Sequence, residues 1–185
     1  MEHPAETLTN GEVVLRRQRL GDVDELDRII VESLDHLLPW MPWAAVHTRQ
    51  TALEFLARSE ADWASGATYD YAITVDGRPV GGCSLIRRIG LGGLEIGYWI
   101  HPAWTGRGLV TMASAALVEA AFALPDVTFV EIHHDEANKA SGAVPQRLGF
   151  AVVSREPDAA RGAAPAESGV TVVQRLLKGV TQPTA

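Results

Sequence analysis

The chain has 185 residues, enough for one well-filled core and short for two ordinary domains. It is 46% hydrophobic and 21% charged, a globular composition, with no apolar run near the ~20 residues that a membrane helix needs. The 16 basic and 23 acidic residues give a net charge of −7, which argues against a nucleic-acid partner, and a lone cysteine, Cys83, excludes an internal disulfide and a multi-cysteine metal site.

Met1 to Asn10 is polar and acidic where a secretory signal would be basic and then apolar, so the expected address is the cytoplasm. Val13 to Arg17 reads as a first strand. Asp22 follows as a helix N-cap, with Glu25 three positions on as in a capping box, and Leu26, Ile29, Ile30 and Leu34 recur at helical spacing. His36 to Ala44, with Pro39 and Pro42, must be a loop. A second helix is expected from Thr48 to Ala64. Two strands, Tyr69 to Val75 and Pro79 to Arg88, flank the hairpin pair Asp76-Gly77. Arg87-Arg88 reads as a solvated strand end and His101 as a turn residue. Leu94 to Ile100 is a further strand, Gly108 to Leu124 an Ala-rich helix, Phe129 to His134 a strand and Lys139 to Leu148 a short helix despite Pro145. Ala151 to Arg155 and Val170 to Leu177 would close the sheet as an antiparallel pair, joined by an Ala/Pro/Gly-rich segment, Pro157 to Gly169, expected to be mobile. The result is one mixed α/β (α+β) domain spanning 1–185, with an ordered core over about 8–178 and a sheet largely antiparallel at its front.

Two stretches carry chemistry. Leu94 to Ile100 runs through His101-Pro102-Ala103-Trp104-Thr105-Gly106-Arg107-Gly108 into a helix. A strand, a Gly-x-Gly turn and a helix start together form a backbone anion site, because glycine permits close approach and free helical N–H groups point at the ligand. No Lys-Ser/Thr follows, so it is not a Walker loop. The second stretch is Asn138-Lys139-Ala140-Ser141-Gly142-Ala143-Val144-Pro145-Gln146-Arg147-Leu148-Gly149-Phe150, which fits N-x-x-S-x-x-V-x-x-x-L-G-F at every fixed position.

Together the two stretches closely resemble the C-terminal half of the GNAT superfamily of N-acetyltransferases. Within it they are similar to the RimJ/RimL branch, which acetylates N-termini of ribosomal proteins. The loop ending Pro39-Trp40-Met41-Pro42-Trp43 is similar to that branch's acceptor-side loop. The resemblance implies acetyl-CoA as cosubstrate, an amine acceptor, neither a metal nor a membrane partner, and a twisted sheet splayed between its fourth and fifth predicted strands. It is compatible with a homodimer. Glu95 to Ile100, including Tyr98, Trp99 and Ile100, would carry a bulge and pair with the pantetheine. Thr105, Gly106, Arg107, Gly108, Leu109 and Val110 would wrap the pyrophosphate, Asn138 would bind pantetheine, and Ser141 would sit at the sulfur. Trp40, Met41 and Trp43 would border the acceptor. Thr105 stands where relatives carry Gln or Arg, and Val110 where they carry Gly or Ala. The tyrosine many relatives use to protonate the leaving thiolate falls on Pro145, which leaves Ser141 as the expected proton donor.

Acetyl transfer to an amine also needs the ammonium to lose a proton. Glu95 and Glu131 are the carboxylates on the strands flanking the expected gap. His133 and His134 alternate in facing, so one of them points away from the Glu131 side. Glu95 and Glu131 rank together as candidate bases, with His134 behind them. An α-amino acceptor, partly neutral near pH 7–8, can also react without a dedicated base. Two other functions share these residues: a non-catalytic acyl-CoA-binding module, and an enzyme that acetylates a small molecule such as an antibiotic or amino acid.

Overall fold

Two tight turns set the front of the sheet. At Gly11-Glu12, where Gly11 has φ +59°, strand β1 (Thr7–Asn10) folds back on β2 (Val13–Arg17) with Asn10 opposite Val13. At Asp76-Gly77 both residues take positive φ, 49° and 73°, and join β3 (Thr68–Val75) to β4 (Arg78–Ile86). β1 was not among the expected strands, although Asn10-Gly11 is a hairpin signal of the same kind. The computed structural model describes residues 2–157 and 164–179.

The remaining strands are β5 (Gly93–Ile100), β6 (Phe129–Asp135), β7 (Ala151–Pro157) and β8 (Val170–Leu177). They form one eight-stranded sheet in the order β1-β2-β3-β4-β5-β6-β8-β7. Every neighbouring pair is antiparallel except β5 and β6. That parallel pair is short: Gly93 meets Phe129, Leu94 meets Val130 and Glu95 meets Glu131. Beyond this rung β5 continues against β4 and β6 against β8, so the two strands part and their facing backbone groups lose strand partners. The gap lies between the fourth and fifth predicted strands, which become β5 and β6 once β1 is counted. The expected bulge is not in the β4–β5 ladder, which runs in unbroken register from Gly81↔Ile100 to Ile86↔Glu95. The register shift falls instead between β3 and β4, at Ile73/Thr74.

Helix α1 (Val23–Val31) buries Val23, Leu26, Ile29 and Ile30. It stops where the Ser33 hydroxyl bonds back to Ile29 O at 2.6 Å, so Leu34 opens a separate short helix, α2 (Leu34–Leu37). Asp22 stands at the N-cap of α1 without capping it, because its carboxylate accepts from Arg19 N at 2.8 Å and Arg16 Nη1 at 2.9 Å. A 3-10 turn, Pro42–Val46, occupies the expected loop. α3 (Arg49–Ser65) begins at Thr48, whose Oγ1 accepts from Thr51 N at 3.1 Å, and ends at Gly66 with φ +77°. α4 (Leu109–Ala123) turns Leu109, Ala113, Leu117 and Ala121 into the main core, beside Leu94, Ile96, Val130 and Ile132 of the diverging strands. Each such Leu or Ile contributes roughly 1.5–3 kcal/mol by leaving water. A smaller core joins α1 to α3 through Leu26, Ile29, Ile30, Ala52 and Leu56. α5 (Lys139–Arg147) crosses beside the far end of the gap. Among the described residues no helix is long and apolar enough to cross a membrane.

Candidate active site

At the apex of the splay the last rung of the β5–β6 ladder carries two buried carboxylates, Glu95 and Glu131, each about 4% exposed. Buried charge needs partners. Arg88 grips Glu95 with Nε at 2.7 Å from Oε2 and Nη2 at 2.5 Å from Oε1. Arg175 of β8 places Nε 2.7 Å from Glu131 Oε1. His133 completes the cluster: its Nε2 lies 2.7 Å from Glu131 Oε2 and its Nδ1 lies 3.9 Å from Glu95 Oε2. An ionised carboxylate only accepts, so Nε2 carries the hydrogen toward Glu131, and Nδ1 faces Glu95. Arg88 is exposed just past the end of β4, as expected of a solvated strand end, but its head group also pairs with the buried Glu95.

From this apex a cleft of about 750 Å³ runs along β5 to the Trp40–Val46 segment. Arg88, Glu95, His133, Tyr98 and Ser141 are among its lining residues, as are Trp99, Trp40, Met41, Trp43 and Glu167. Glu131 is not among the lining residues and reaches the cleft through His133. His134 is not at the cleft either. Its Nδ1 bonds Asp135 O at 2.9 Å, its Nε2 meets Gln174 Nε2 at 3.0 Å, and a Cβ added at Gly142 would sit 2.7 Å from its ring. Strand alternation explains this: His133 shares the Glu131 face two residues on, and His134 takes the other face, packed against α5. The sequence contained that signal, and it favours His133.

Ser141 stands in the first turn of α5. Asn138 caps the helix, its Oδ1 accepting from Ser141 N at 3.0 Å. The Tyr98 hydroxyl lies 3.1 Å from Ser141 Oγ and donates to Ser141 O at 2.9 Å. Burial pushes the Tyr98 phenol up to about 12, against a smaller opposing effect of the Ser141 hydrogen bond.

The expected anion site lies at the start of α4. Gly108 is its N-cap at φ +75°, and Gly106 sits at φ +74°. A Cβ at either position would meet nothing within 4 Å, so conformation rather than crowding calls for glycine, and open space lies beside the first free N–H groups of the helix. That cradle fits a pyrophosphate. Thr105 spends its hydroxyl on Pro102 O at 2.9 Å. The Arg107 guanidinium lies 4.4 Å over Trp104 and 3.3 Å from Glu12. Leu109 and Ile100 are buried in the core and Val110 packs against it. His101 is a turn residue as expected, with Nδ1 accepting from Ala103 N at 3.2 Å.

On the acceptor side Trp43 packs edge-on against Trp99 with centroids 6.2 Å apart, and His47 ties the segment to Asp27 at 3.0 Å. The segment expected to be mobile falls partly outside the described residues, at 158–163. Its remainder is fastened. Ala166 N bonds Pro39 O at 3.0 Å, and the Asp135 carboxylate accepts from Ala137 N, Ser168 N, Ser168 Oγ and Gly169 N at 2.8–3.0 Å. Burial would raise the Asp135 pKa, but these four donors outweigh it and hold the carboxyl below its ordinary value. Glu167, which no sequence pattern singled out, is thereby set at the cleft wall.

The fold and the family are shown by similarity to known proteins. The acetyltransferase (GNAT) domain model matches residues 12–151. A protein of Bacillus subtilis (strain 168) named "Putative ribosomal N-acetyltransferase YdaF" is 28% identical over 153 residues, covering 76% of this chain and 79% of that one. RimL, a ribosomal L7/L12 alpha-N-protein acetyltransferase solved with coenzyme A, superposes with a TM-score of 0.85 at 18% identity, over 93% of this chain and 98% of its own. RimJ of Mycobacterium smegmatis, solved with a CoA disulfide, gives 0.84 at 23% identity over 96% and 90%. The splayed sheet, the glycine cradle and the matched domain lead to one conclusion: this chain belongs to the GNAT family of acetyltransferases, enzymes whose cosubstrate is acetyl-CoA.

Proposed function

We propose that this N-acetyltransferase moves the acetyl group of acetyl-CoA to the α-amino group of a protein N-terminus, in the cytoplasm, by direct attack within a ternary complex. The observation that carries the reading is the cleft itself: one continuous groove joins a proton-accepting apex and Ser141 to an aromatic wall outside the sheet. Its volume of about 750 Å³ leaves room for a peptide end beside a pantetheine arm. The names of the relatives, ribosomal N-acetyltransferases, support a protein acceptor. Nothing in the cleft supports an acetyl-enzyme. Cys83 is fully buried and burial pushes its thiol far up, so it is not a thiolate at neutral pH.

The chemistry divides among the lining residues. Backbone N–H groups of β5 past Glu95 have no strand partner on the β6 side and can polarise the thioester carbonyl. Gly106 to Val110 hold the pyrophosphate through main-chain N–H groups, and Asn138, with its oxygen committed to Ser141 N, offers its amide nitrogen to the pantetheine. His133 takes the ammonium proton on Nδ1, where the imidazolium formed stands between Glu131 and Glu95. Glu95 and Glu131 act through His133, since arginines already occupy their oxygens. Ser141 protonates the leaving thiolate.

The test is acetyl-CoA-dependent thiol release with N-terminal peptides, free amino acids, polyamines and aminoglycosides as acceptors. Peptides should turn over fastest, with the acetyl group on the α-amino nitrogen by mass spectrometry. Turnover confined to polyamines or aminoglycosides would overturn the protein acceptor, and thiol release with no amine at all would overturn the transfer reaction.

A further inference from the structure

Pro145 does more than remove a phenol from α5. A proline has no N–H, so the carbonyl four residues back, Ser141 O, loses its helical donor. In this protein that carbonyl is served from outside the helix: the Tyr98 hydroxyl of β5 donates to Ser141 O at 2.9 Å. The same hydroxyl is 3.1 Å from Ser141 Oγ, and both side chains line the cleft. A carbonyl only accepts, so while the phenolic hydrogen points at it, the Ser141 hydroxyl can donate to the phenol oxygen. The pair thus has two proton arrangements, and rotation of the Tyr98 O–H from Ser141 O to Ser141 Oγ converts one into the other.

We infer that Tyr98 and Ser141 form a two-hydroxyl relay that delivers the proton to departing CoA, with Tyr98 restoring the proton that Ser141 gives up. The inference rests on the N-acetyltransferase reading above. An aliphatic hydroxyl is a far weaker acid than a thiol, so Ser141 alone would protonate CoA only by leaving an unsupported alkoxide. Concerted transfer avoids that. As the C–S bond of the tetrahedral intermediate breaks, its electron pair goes to sulfur, the Ser141 hydrogen forms S–H, and the Tyr98 hydrogen moves to Ser141 Oγ. The proton surrendered by the attacking nitrogen returns through solvent to the phenolate, so the sum is amine plus acetyl-CoA giving amide plus CoA thiol. Burial disfavours the phenolate, so the relay must pass both protons together and refill Tyr98 from solvent rather than rest as a phenolate. The tyrosine that relatives place on the helix is in effect supplied from the strand.

A purely structural Tyr98 would serve only the orphaned carbonyl, and Pro145→Ala removes that need by giving Ser141 O a helical N–H. The decisive comparison is therefore Tyr98→Phe in the wild-type and Pro145→Ala backgrounds. If Tyr98 relays a proton, kcat falls about 10- to 100-fold in both, within the range for general acid catalysis, while acetyl-CoA affinity by calorimetry changes less than about twofold. Recovery of normal turnover in the double variant would overturn the relay and leave Tyr98 as a helix anchor. A second readout needs no acceptor and stands apart from the transfer reaction: the thiolate absorbance of bound CoA, titrated with pH. Removing the phenol should raise the midpoint of bound CoA by about one pH unit, a tenfold change in thiolate population. An unshifted midpoint would place the sulfur out of reach of the pair and overturn the proposal.

Discussion

The splay and the start of α4 are built to hold charge by opposite means. At the splay, five side chains from β5, β6, β8 and the residues after β4 lock together: Arg88, Glu95, His133, Glu131 and Arg175. At the start of α4 the proposed anion site would rely on main-chain N–H groups behind two positive-φ glycines, and the nearby side chains are already engaged, Arg107 with Trp104 and Thr105 with the Pro102 carbonyl. A side-chain cluster is fixed by partners distant in sequence and is sensitive to the identity of each member. A backbone site is fixed by conformation, and tolerates any side chain that leaves φ and the open approach alone. The sequence departures at Thr105 and Val110 are mild for that reason.

The largest expected effect separates catalysis from support at the apex. His133→Asn should lower kcat about 10²-fold near pH 7 while acetyl-CoA affinity holds, because the ammonium then has no positioned acceptor. The deficit should shrink as pH rises past about 8, where an α-amino group with a pKa of about 7.7–8.0 is already neutral, and persist for a lysine ε-amine at about 10.4. Initial rates from pH 6 to 9 with both acceptor types check this. A deficit that does not change with pH would make His133 a support for Glu131 and Glu95 alone.

The same contrast explains what could be read from the residues beforehand. The glycine turn and the α5 cap are legible because they are local: Gly106, Gly108 and the Asn138–Ser141 start of α5 each fall within one turn, and the strand order with its splay follows from them through the resemblance. The apex was half legible. Glu95 and Glu131 were placed correctly on facing strands, but Arg88 and Arg175 join them only across the folded sheet, 7 and 44 residues away in sequence. His133 was passed over for His134 although the period-two rule places it on the Glu131 face. Tyr98 was assigned to the pantetheine strand, and its link to Ser141, 43 residues away, depends on a carbonyl that only the geometry around Pro145 exposes.

An intermediate effect is expected from Gly108→Val. A β-branched residue at φ +75° is strained, and strain of this kind costs about 1–3 kcal/mol. If that strain is relieved by turning the peptide away from the ligand, CoA affinity should weaken about 5- to 150-fold, at about 1.4 kcal/mol per tenfold. Calorimetry with CoA, beside a melting temperature to confirm folding, measures it. Unchanged affinity would put the anion site elsewhere.

The smallest effect is the most informative about how the backbone site works. Arg107 is the one basic side chain within the Thr105 to Val110 loop, and a phosphate site would ordinarily be credited to it. Its guanidinium already stacks 4.4 Å over Trp104 and lies 3.3 Å from Glu12, with both members of that pair about half exposed. Redirecting it to a pyrophosphate would trade one solvated partner for another, and exposed pairs are worth only about 0.2–1 kcal/mol. Arg107→Ala should therefore weaken CoA binding less than about fivefold at physiological salt. The loss should grow at low ionic strength, where screening relaxes beyond its usual ~8 Å. Titrations at two salt concentrations distinguish the cases. A loss well beyond tenfold that falls steeply with salt would mean that Arg107 leaves Trp104 to clamp the phosphates, and that both regions hold charge through side chains.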